Sequence, residues 1–255
     1  LSWIERRHGP QEDRLYRASR SYLKGAAKRY ARRLRGVMST RQSPEGAIIK
    51  AVTDWSELFS ADEEKRRIIA EIGSVWIRGW KLTGSEELTK VYRLANKDKP
   101  EGLSFEALDI AAVQTNRMAS EVVRTSSDKV MKIVEKGLME GLSTDEIANL
   151  LMDAKAFDKA RATLIARTEA TRSVNGAAIQ AYEVAAGEGI GIQKQWLTAD
   201  DDKVRFEHTL LDGQTVYPSE VFSVSGMEAS GPGEFGEADM DCNCRCTVVT
   251  FIVDL

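Results

Sequence analysis

The sequence has few cysteines and histidines, and it has no long apolar segment. It holds three cysteines and two histidines in 255 residues, and no apolar stretch approaches the roughly 20 residues that a membrane-spanning helix needs. No charged segment followed by an apolar run and a cleavage site is present, so we predict no export by a secretory pathway. With 42% hydrophobic and 29% charged residues, the composition is typical of a soluble globular protein without a membrane association.

Acidic residues are absent from one long stretch near the start of the chain. Between residues 14 and 41 there are ten bases and no acid, namely Arg14, Arg17, Arg20, Lys24, Lys28, Arg29, Arg32, Arg33, Arg35 and Arg41. A block of this kind can bind polyanions, so it is a candidate for docking to DNA or to an acidic protein groove. A solvated helix face is the alternative interpretation.

The cysteines are clustered as Cys242, Cys244 and Cys246. Neighbours two apart on an extended strand point the same way but do not easily form an unstrained disulfide. Zinc favours four nitrogen or sulfur ligands in a tetrahedron, so His208 with two or three of these thiols is a candidate structural zinc site. The alternative is that Cys244 and Cys246 pack as small apolar groups while His208 forms a hydrogen bond to a neighbouring loop.

Hydrophobic spacing predicts a chain that begins with helices and ends with a small mixed unit. Helices are predicted over residues 1–42, 45–80, 105–152 and 157–185, strands over 193–198 and 247–253, and loops over 97–102 and 223–241. Ser143 and Glu146 form a predicted capping box. The fold class is therefore α+β, with a mainly helical region over 1–135 followed by a domain with a short antiparallel sheet over 136–255.

Three polar clusters follow one another in the second half of the chain. The first has Arg167, Glu169, Arg172 and Asn175 on one helical face, which is typical of a solvated or ion-paired surface. The second has Trp196, Asp202, Arg205 and His208, closed by a turn at Gly213, and predicts a small ion-paired network that fixes the loop after the Trp196 strand. The third is Asn243-Cys244-Arg245-Cys246, directly before the last strand.

These clusters, in this order, resemble the phage Mu F-like head-morphogenesis family over about residues 137–253. The family pattern is an Arg-Thr-Glu helix, a Trp followed by an Asp–Arg–His step and a Leu-Asp-Gly turn, and a terminal Asn-Cys-Arg-Cys. Many members have His-Pro directly before Asn-Cys-Arg-Cys, where this chain has Asp241-Cys242. A histidine ligand at this end is therefore not expected from the motif, although both residues can coordinate metals.

The resemblance implies a phage minor capsid protein that is associated with the portal and assists procapsid assembly and DNA packaging or ejection. It implies the portal protein as a partner, together with the major capsid or scaffold protein and packaged DNA. It also implies multiple copies per virion. The expected location is the capsid interior or portal vertex of the virion, and the host cytoplasm during assembly.

An enzyme is the alternative class of protein. Glu169, Asp202, Arg205 and His208 are the residue types of a hydrolase or transferase site. They would suit a metal-dependent or nucleotide-transferring enzyme centred on His208 and delivered as toxin-like cargo inside the phage head. Because the chain has no Gly-rich phosphate-binding motif, we predict that it is not an enzyme and assign no catalytic residue.

Overall fold

A computed structural model of the chain describes residues 3–39, 58–101, 105 and 108–253. The elements are α1 Trp3–Ser39, α2 Ala61–Ile68, a π-helical segment Ile69–Gly73, α3 Ser74–Leu94, α4 Leu108–Met139, α5 Thr144–Asp153, a 3-10 turn Lys155–Phe157, α6 Lys159–Gly187, β1 Ile192–Leu197, α7 Phe206–Leu211, β2 Thr215–Val216, β3 Phe222–Val224, β4 Met227–Ala229, α8 Ala238–Asp241 and β5 Thr247–Ile252. This order confirms the predicted α+β class, with helices first and a small antiparallel sheet in the C-terminal part.

The predicted helical stretches coincide in place with described helices, but α3 extends to Leu94, beyond the predicted end at residue 80, and the stretch 105–152 is divided into α4 and α5. A single helix, α1, occupies most of the first predicted stretch, and the stretch 45–80 is described only in part, as α2 and the start of α3. The capping box is present: Ser143 Oγ accepts from the Glu146 backbone N–H at 3.3 Å, and the Glu146 carboxylate accepts from the Ser143 N–H at 2.7 Å. This reciprocal bonding fixes the start of α5.

The three-stranded sheet has β1 at its centre, antiparallel to β2 on one side and to β5 on the other. Trp196 of β1 lies opposite Val248 of β5, and both are fully buried. Ile192, Lys194 and Trp196 share the buried face of β1, as alternation along a strand requires. This places a lysine between two apolar side chains.

The segment 223–241 was predicted to be a long loop, and that prediction is wrong for part of it. β3 and β4 form a hairpin with a two-residue turn at Ser225-Gly226, whose φ angles are 50° and 79°. Positive φ at both central positions is what a type I′ hairpin turn needs. The short helix α8 then ends at Asp241.

The chain forms two compact units, each made of several segments. Unit 1 consists of Leu1–Tyr16, Val75–Ala112 and Leu164–Leu255, and unit 2 consists of Arg17–Ser74 and Val113–Thr163. The predicted division after residue 135 falls inside α4, and each unit takes residues from both sides of that point. The sheet and the three polar clusters lie in unit 1.

The core of unit 1 is built on aromatic side chains against the small residues of α6. Trp76 and Trp80 are stacked at 4.9 Å between ring centroids, and both are buried. Gly176 of α6 lies so close to Trp80 that an added Cβ would be 2.5 Å from the indole ring. A side chain at this position would force the tryptophan to move.

Unit 2 has its own buried core. Tyr30 stacks on Phe59 with ring centroids 5.2 Å apart, and Leu23, Ile68 and Leu151 are fully buried.

In the ranges of the chain that the structure covers, no helix is both long enough and apolar enough to cross a membrane.

Candidate functional site

A row of polar side chains on α6 holds the backbone that leads into β5. Positions 168, 171 and 175 share one helical face, because they are three and four residues apart. The hydrogen bonds run from Asn243 N to Thr168 Oγ1 (3.0 Å), from Thr171 Oγ1 to Cys244 O (2.6 Å), from Asn175 Nδ2 to Cys246 O (3.1 Å), and from Val248 N to Asn175 Oδ1 (3.0 Å). The Asn-Cys-Arg-Cys segment is therefore paired with side chains of a helix.

Beside this row, Arg172 is the centre of a buried ionic network. Its guanidinium donates to Gly233 O at 3.0 Å and to the Glu169 carboxylate at 2.9 Å, and it lies 3.5 Å from the Asp241 carboxylate. Asp241 also accepts from the backbone N–H groups of Phe235 and Gly236. Buried charges of this kind are tolerated because every one of them is paired.

The predicted solvated surface is wrong for this face of α6. Glu169 and Arg172 are each 5% exposed and Asn175 is fully buried, because the segment before β5 packs on them. The alternative, ion pairing, is observed for Arg172. Arg167, at the edge, is partly exposed, pairs with Glu12 at 3.2 Å and donates to Asn243.

The predicted network of Asp202, Arg205 and His208 is not formed. Asp202 is exposed and makes no hydrogen bond or ion pair with any described residue, while Arg205 donates to Cys242 O at 2.5 Å. The reason is that α7 begins only at Phe206, so the three-residue step does not run along a helix. Instead Asp201 pairs with Arg245 at 2.6 Å.

The predicted turn at Gly213 is confirmed. Its φ is 80°, a left-handed value that favours glycine, and its N–H donates to Trp196 O at 2.9 Å. Trp196 in turn meets the His208 ring edge-on, with centroids 5.4 Å apart. The turn thus brings α7 back over the end of β1.

His208, Cys244 and Cys246 form a buried cluster. His208 Nδ1 lies 3.6 Å from Cys244 Sγ and 3.4 Å from Cys246 Sγ, and the three ligand atoms lie within 4.8 Å of one another. The three residues are 1%, 2% and 2% exposed. His208 Nε2 has no hydrogen-bond partner in the described part of the chain, so ring contacts with Trp196 and Phe235 orient the imidazole.

Cys242, which was predicted as a further ligand, is not in this cluster. The prediction assumed an extended strand in which alternate residues point the same way. In the structure α8 ends at Asp241 and Asn243 has a left-handed φ of 63°, a conformation that asparagine tolerates better than most residues. This turn separates Cys242 from the other two thiols.

The two clustered thiols differ in acidity. A hydrogen bond with Cys246, followed by burial, raises the pKa of Cys244 well above its usual value. The pKa of Cys246 is lowered, mainly by the hydrogen bond with Cys244. Burial acts in the opposite direction but is the smaller effect. Cys246 is therefore the thiol that ionises first, and a thiolate beside an imidazole is a good ligand for a soft or borderline metal.

Lys194 is a buried residue of this region that was not predicted from the sequence pattern. It is 1% exposed, and its Nζ donates to Pro218 O at 2.8 Å and to Ser230 O at 2.9 Å. Burial lowers its pKa to about 8. Its place between Ile192 and Trp196, in the alternating pattern of β1, was the signal that could have identified it.

The basic stretch on α1 separates into inward and outward residues. Four bases have partners within unit 2: Arg20 with Phe157 O (2.9 Å), Arg29 with Glu64 (2.6 Å), Arg33 with Glu63 (2.5 Å) and Arg35 with Asp145 (2.7 Å). Arg17, Lys24, Lys28 and Arg32 are exposed and make no ion pair or hydrogen bond with the described residues; we call these four the basic stripe. Arg14 is exposed in unit 1, and Arg41 lies outside the described residues.

The polar clusters and the strand that follows them define a known domain. A family model described as phage Mu protein F like protein matches residues 128–249, which contain all three clusters. Residues 128–249 are therefore similar to the phage Mu protein F-like family, as the order of the clusters predicted.

Two known proteins are similar in sequence to part of this chain. The chain is 40% identical over 116 residues to a protein named NAD(+)--arginine ADP-ribosyltransferase EFV from Enterococcus faecalis, a match that covers 46% of this chain and 24% of that protein. It is 32% identical over 128 residues to Minor head protein GP7 of Bacillus phage SPP1, covering 50% of this chain and 41% of the relative. The chain thus spans well under half the length of either protein. No solved structure matches it.

Proposed function

We propose that this protein takes part in phage head morphogenesis, as a minor head protein of the virion. The observation that carries the proposal is the family match of residues 128–249, together with the likeness to a protein named as a minor head protein. The proposed partners are other head components, with the portal protein first among them. The proposed location is the capsid interior or the portal vertex.

Purified particles test this proposal. Phage particles made by cells that express the chain should contain it after density-gradient purification, at a small number of copies relative to the major capsid protein, as measured by quantitative mass spectrometry. Chemical cross-linking in the same particles should join it to the portal protein. Absence of the chain from purified particles would contradict a virion role.

Deletion separates an assembly role from the toxin-like cargo alternative. A protein that assists assembly should, when its gene is deleted, lower the yield of DNA-filled heads seen by electron microscopy. Cargo should be dispensable, with the number of filled heads unchanged. Restoration of the yield by the full chain supplied in trans is the control for effects on neighbouring genes.

We further propose that the buried polar residues of unit 1 support structure and do not catalyse a reaction. In favour of this, His208 is 1% exposed, and Glu169 and Arg172 pair with each other in the interior. The E. faecalis relative is named for transfer of ADP-ribose to arginine, so that activity is the one to assay. NAD(+)-dependent labelling of an arginine acceptor that disappears in His208→Ala would overturn the proposal.

The basic stripe is the proposed contact with packaged DNA. Its members are separated by seven, four and four residues, spacings that keep them on one face of an α-helix. They form no ion pair with described residues, whereas Arg20, Arg29, Arg33 and Arg35 have partners. A cavity of about 280 Å³ lies beside the stripe, and its lining includes Lys24, Lys28, Asp153, Phe157 and Asp158.

DNA binding is tested with two charge-matched variants of the full chain. In the first, Lys24, Lys28 and Arg32 are changed to Gln; in the second, Arg124, Lys132 and Lys136, which are exposed on α4 in the same unit, are changed to Gln. Because each phosphate contact contributes about 0.9 to the slope of log affinity against log salt, the first variant should reduce that slope by about 3. The second should keep the slope of the wild type.

Fluorescence anisotropy with a short random-sequence duplex measures these slopes. Equal losses in the two variants would mean that only net charge matters. Unchanged binding in the first variant would exclude the stripe as a DNA contact and would leave an acidic protein surface as its partner.

A further inference from the structure

We propose that His208, Cys244 and Cys246 bind one Zn²⁺ ion, which links α7 to the segment before β5. This inference concerns the interior of unit 1 and does not depend on the proposed role in head assembly. It rests on the convergence of three ligand atoms from two parts of the chain that are more than 30 residues apart, all of them buried.

The distances between the histidine nitrogen and the two sulfurs match those expected around one shared zinc ion. With Zn–S of about 2.3 Å and Zn–N of about 2.05 Å, a tetrahedral angle places the nitrogen and sulfur about 3.6 Å apart. The observed distances from His208 Nδ1 are 3.4 Å to one sulfur and 3.6 Å to the other. A neutral imidazole Nδ1 has either one lone pair or one proton, so a single directed hydrogen bond does not account for two equally close sulfurs.

The ligand types also fit. Zinc is bound in proteins by cysteine thiolates and histidine imidazoles. Two thiolates and one Zn²⁺ have no net charge, which removes the cost of placing an ionised thiol in an interior. Within the described residues no fourth Cys, His, Asp or Glu ligand atom joins the cluster, so a small ligand such as water completes the tetrahedron.

The backbone around the ligands is already fixed. Thr171 and Asn175 hold the carbonyl groups of Cys244 and Cys246, and the Cys246 N–H points to Cys244 Sγ at 3.4 Å. A site whose ligands are held in place does not pay a large ordering entropy when the ion binds. Three protein ligands leave a fourth position open, as in catalytic zinc sites. Because the three ligand residues are at most 2% exposed, that position is closed to a substrate, and we assign the ion a structural role.

The test uses the full chain purified under reducing conditions without chelator. Elemental analysis should find one zinc per chain, and replacement by Co²⁺ should give the intense visible bands of a tetrahedral cobalt site together with thiolate-to-cobalt charge transfer. Wild-type protein that contains no stoichiometric zinc, and gives no such cobalt spectrum after reconstitution, would overturn the proposal.

Variants identify the ligands. Cys244→Ser, Cys246→Ser and His208→Ala should each lose stoichiometric zinc, whereas Cys242→Ser, the matched control, should keep both the zinc and the cobalt spectrum. Loss of the metal in Cys242→Ser, or its retention in Cys244→Ser, would refute the assigned ligand set. If the ligand variants do not fold, the zinc content and cobalt spectra of the wild type and of Cys242→Ser decide the result.

Discussion

Asn175 shows how one side chain connects two elements of unit 1. Its amide group donates to Cys246 O and accepts from the Thr247 hydroxyl and the Val248 N–H, and the residue is fully buried. A helix side chain thus pairs the groups at the start of β5 that do not pair with β1. An alanine at this position leaves those backbone groups buried without a partner.

We expect Asn175→Ala to lower the free energy of unfolding by at least about 2 kcal/mol, because each buried group left unsatisfied costs about 1 to 3 kcal/mol. Urea denaturation measures the loss. Thr89→Ala is the control, since its hydroxyl bonds only to Ser85 O on an exposed turn of α3; it should change stability by less than about 0.5 kcal/mol. Equal effects of the two changes would argue against a special role for Asn175.

Lys194 makes stability depend on pH. Its pKa is lowered from the ordinary 10.5 to about 8 by burial, so the unfolded chain holds the proton more tightly than the folded protein. Between these two values the unfolded state binds more protons than the folded state, and stability therefore rises with pH. Below pH 8 the charged lysine is present in both states, and its burial cost is fully expressed.

We expect the stability of the wild type relative to Lys194→Met to increase by about 2 kcal/mol between pH 8 and pH 10. Chemical denaturation of both proteins at a series of pH values measures the difference, and the comparison cancels the titration of the thiols and other groups. A difference that is constant or falls with pH would show that Lys194 is not the titrating group.

At the scale of elements, a buried carboxylate fixes α2 against α1 in unit 2. Glu64 is fully buried; it accepts from Tyr22 Oη at 2.9 Å and pairs with Arg29 at 2.6 Å. Its neighbour Glu63 pairs with Arg33 and Arg67, but its side chain is 34% exposed. The two glutamates therefore make similar ion pairs in different surroundings.

Glu64→Ala should lower the free energy of unfolding by about 3 to 5 kcal/mol, because it leaves the partly buried Arg29 without its counter-charge. Glu63→Ala should cost at most about 1 kcal/mol, since exposed pairs are screened by solvent. Thermal or urea denaturation distinguishes the two. Comparable losses would mean that burial does not determine the strength of these pairs.

At the scale of the whole molecule, each unit is discontinuous in sequence. Unit 1 requires Leu1–Tyr16 and Val75–Ala112 in addition to its C-terminal segment. These earlier segments contribute bonds from Arg7 to Val248 O (2.6 Å) and from Tyr182 to Glu87 (3.1 Å), and the Trp80 ring that packs on Gly176. A fragment that starts at residue 136 loses all of them.

We expect a fragment of residues 136–255 to unfold without cooperativity and to lack the near-UV circular dichroism of packed aromatic rings, because the face of α6 that packs on Trp80 is uncovered. The full chain, purified in parallel, should show a sharp thermal transition. A fragment with a cooperative transition near that of the full chain would prove that the C-terminal domain is autonomous.

The sequence by itself determined the helices, the capping box at Ser143, the two main strands and the ordered clusters of the phage Mu protein F-like family. These features depend on residues that are close along the chain, through helical spacing, strand alternation and local capping. Only the tertiary structure decided that Glu169, Arg172 and Asn175 are buried, that Cys242 stands apart from Cys244 and Cys246, and that four bases of α1 point outward while others pair inward. The reason is physical: burial and pairing depend on contacts such as Arg7 with Val248, 241 residues apart, and no local pattern contains them.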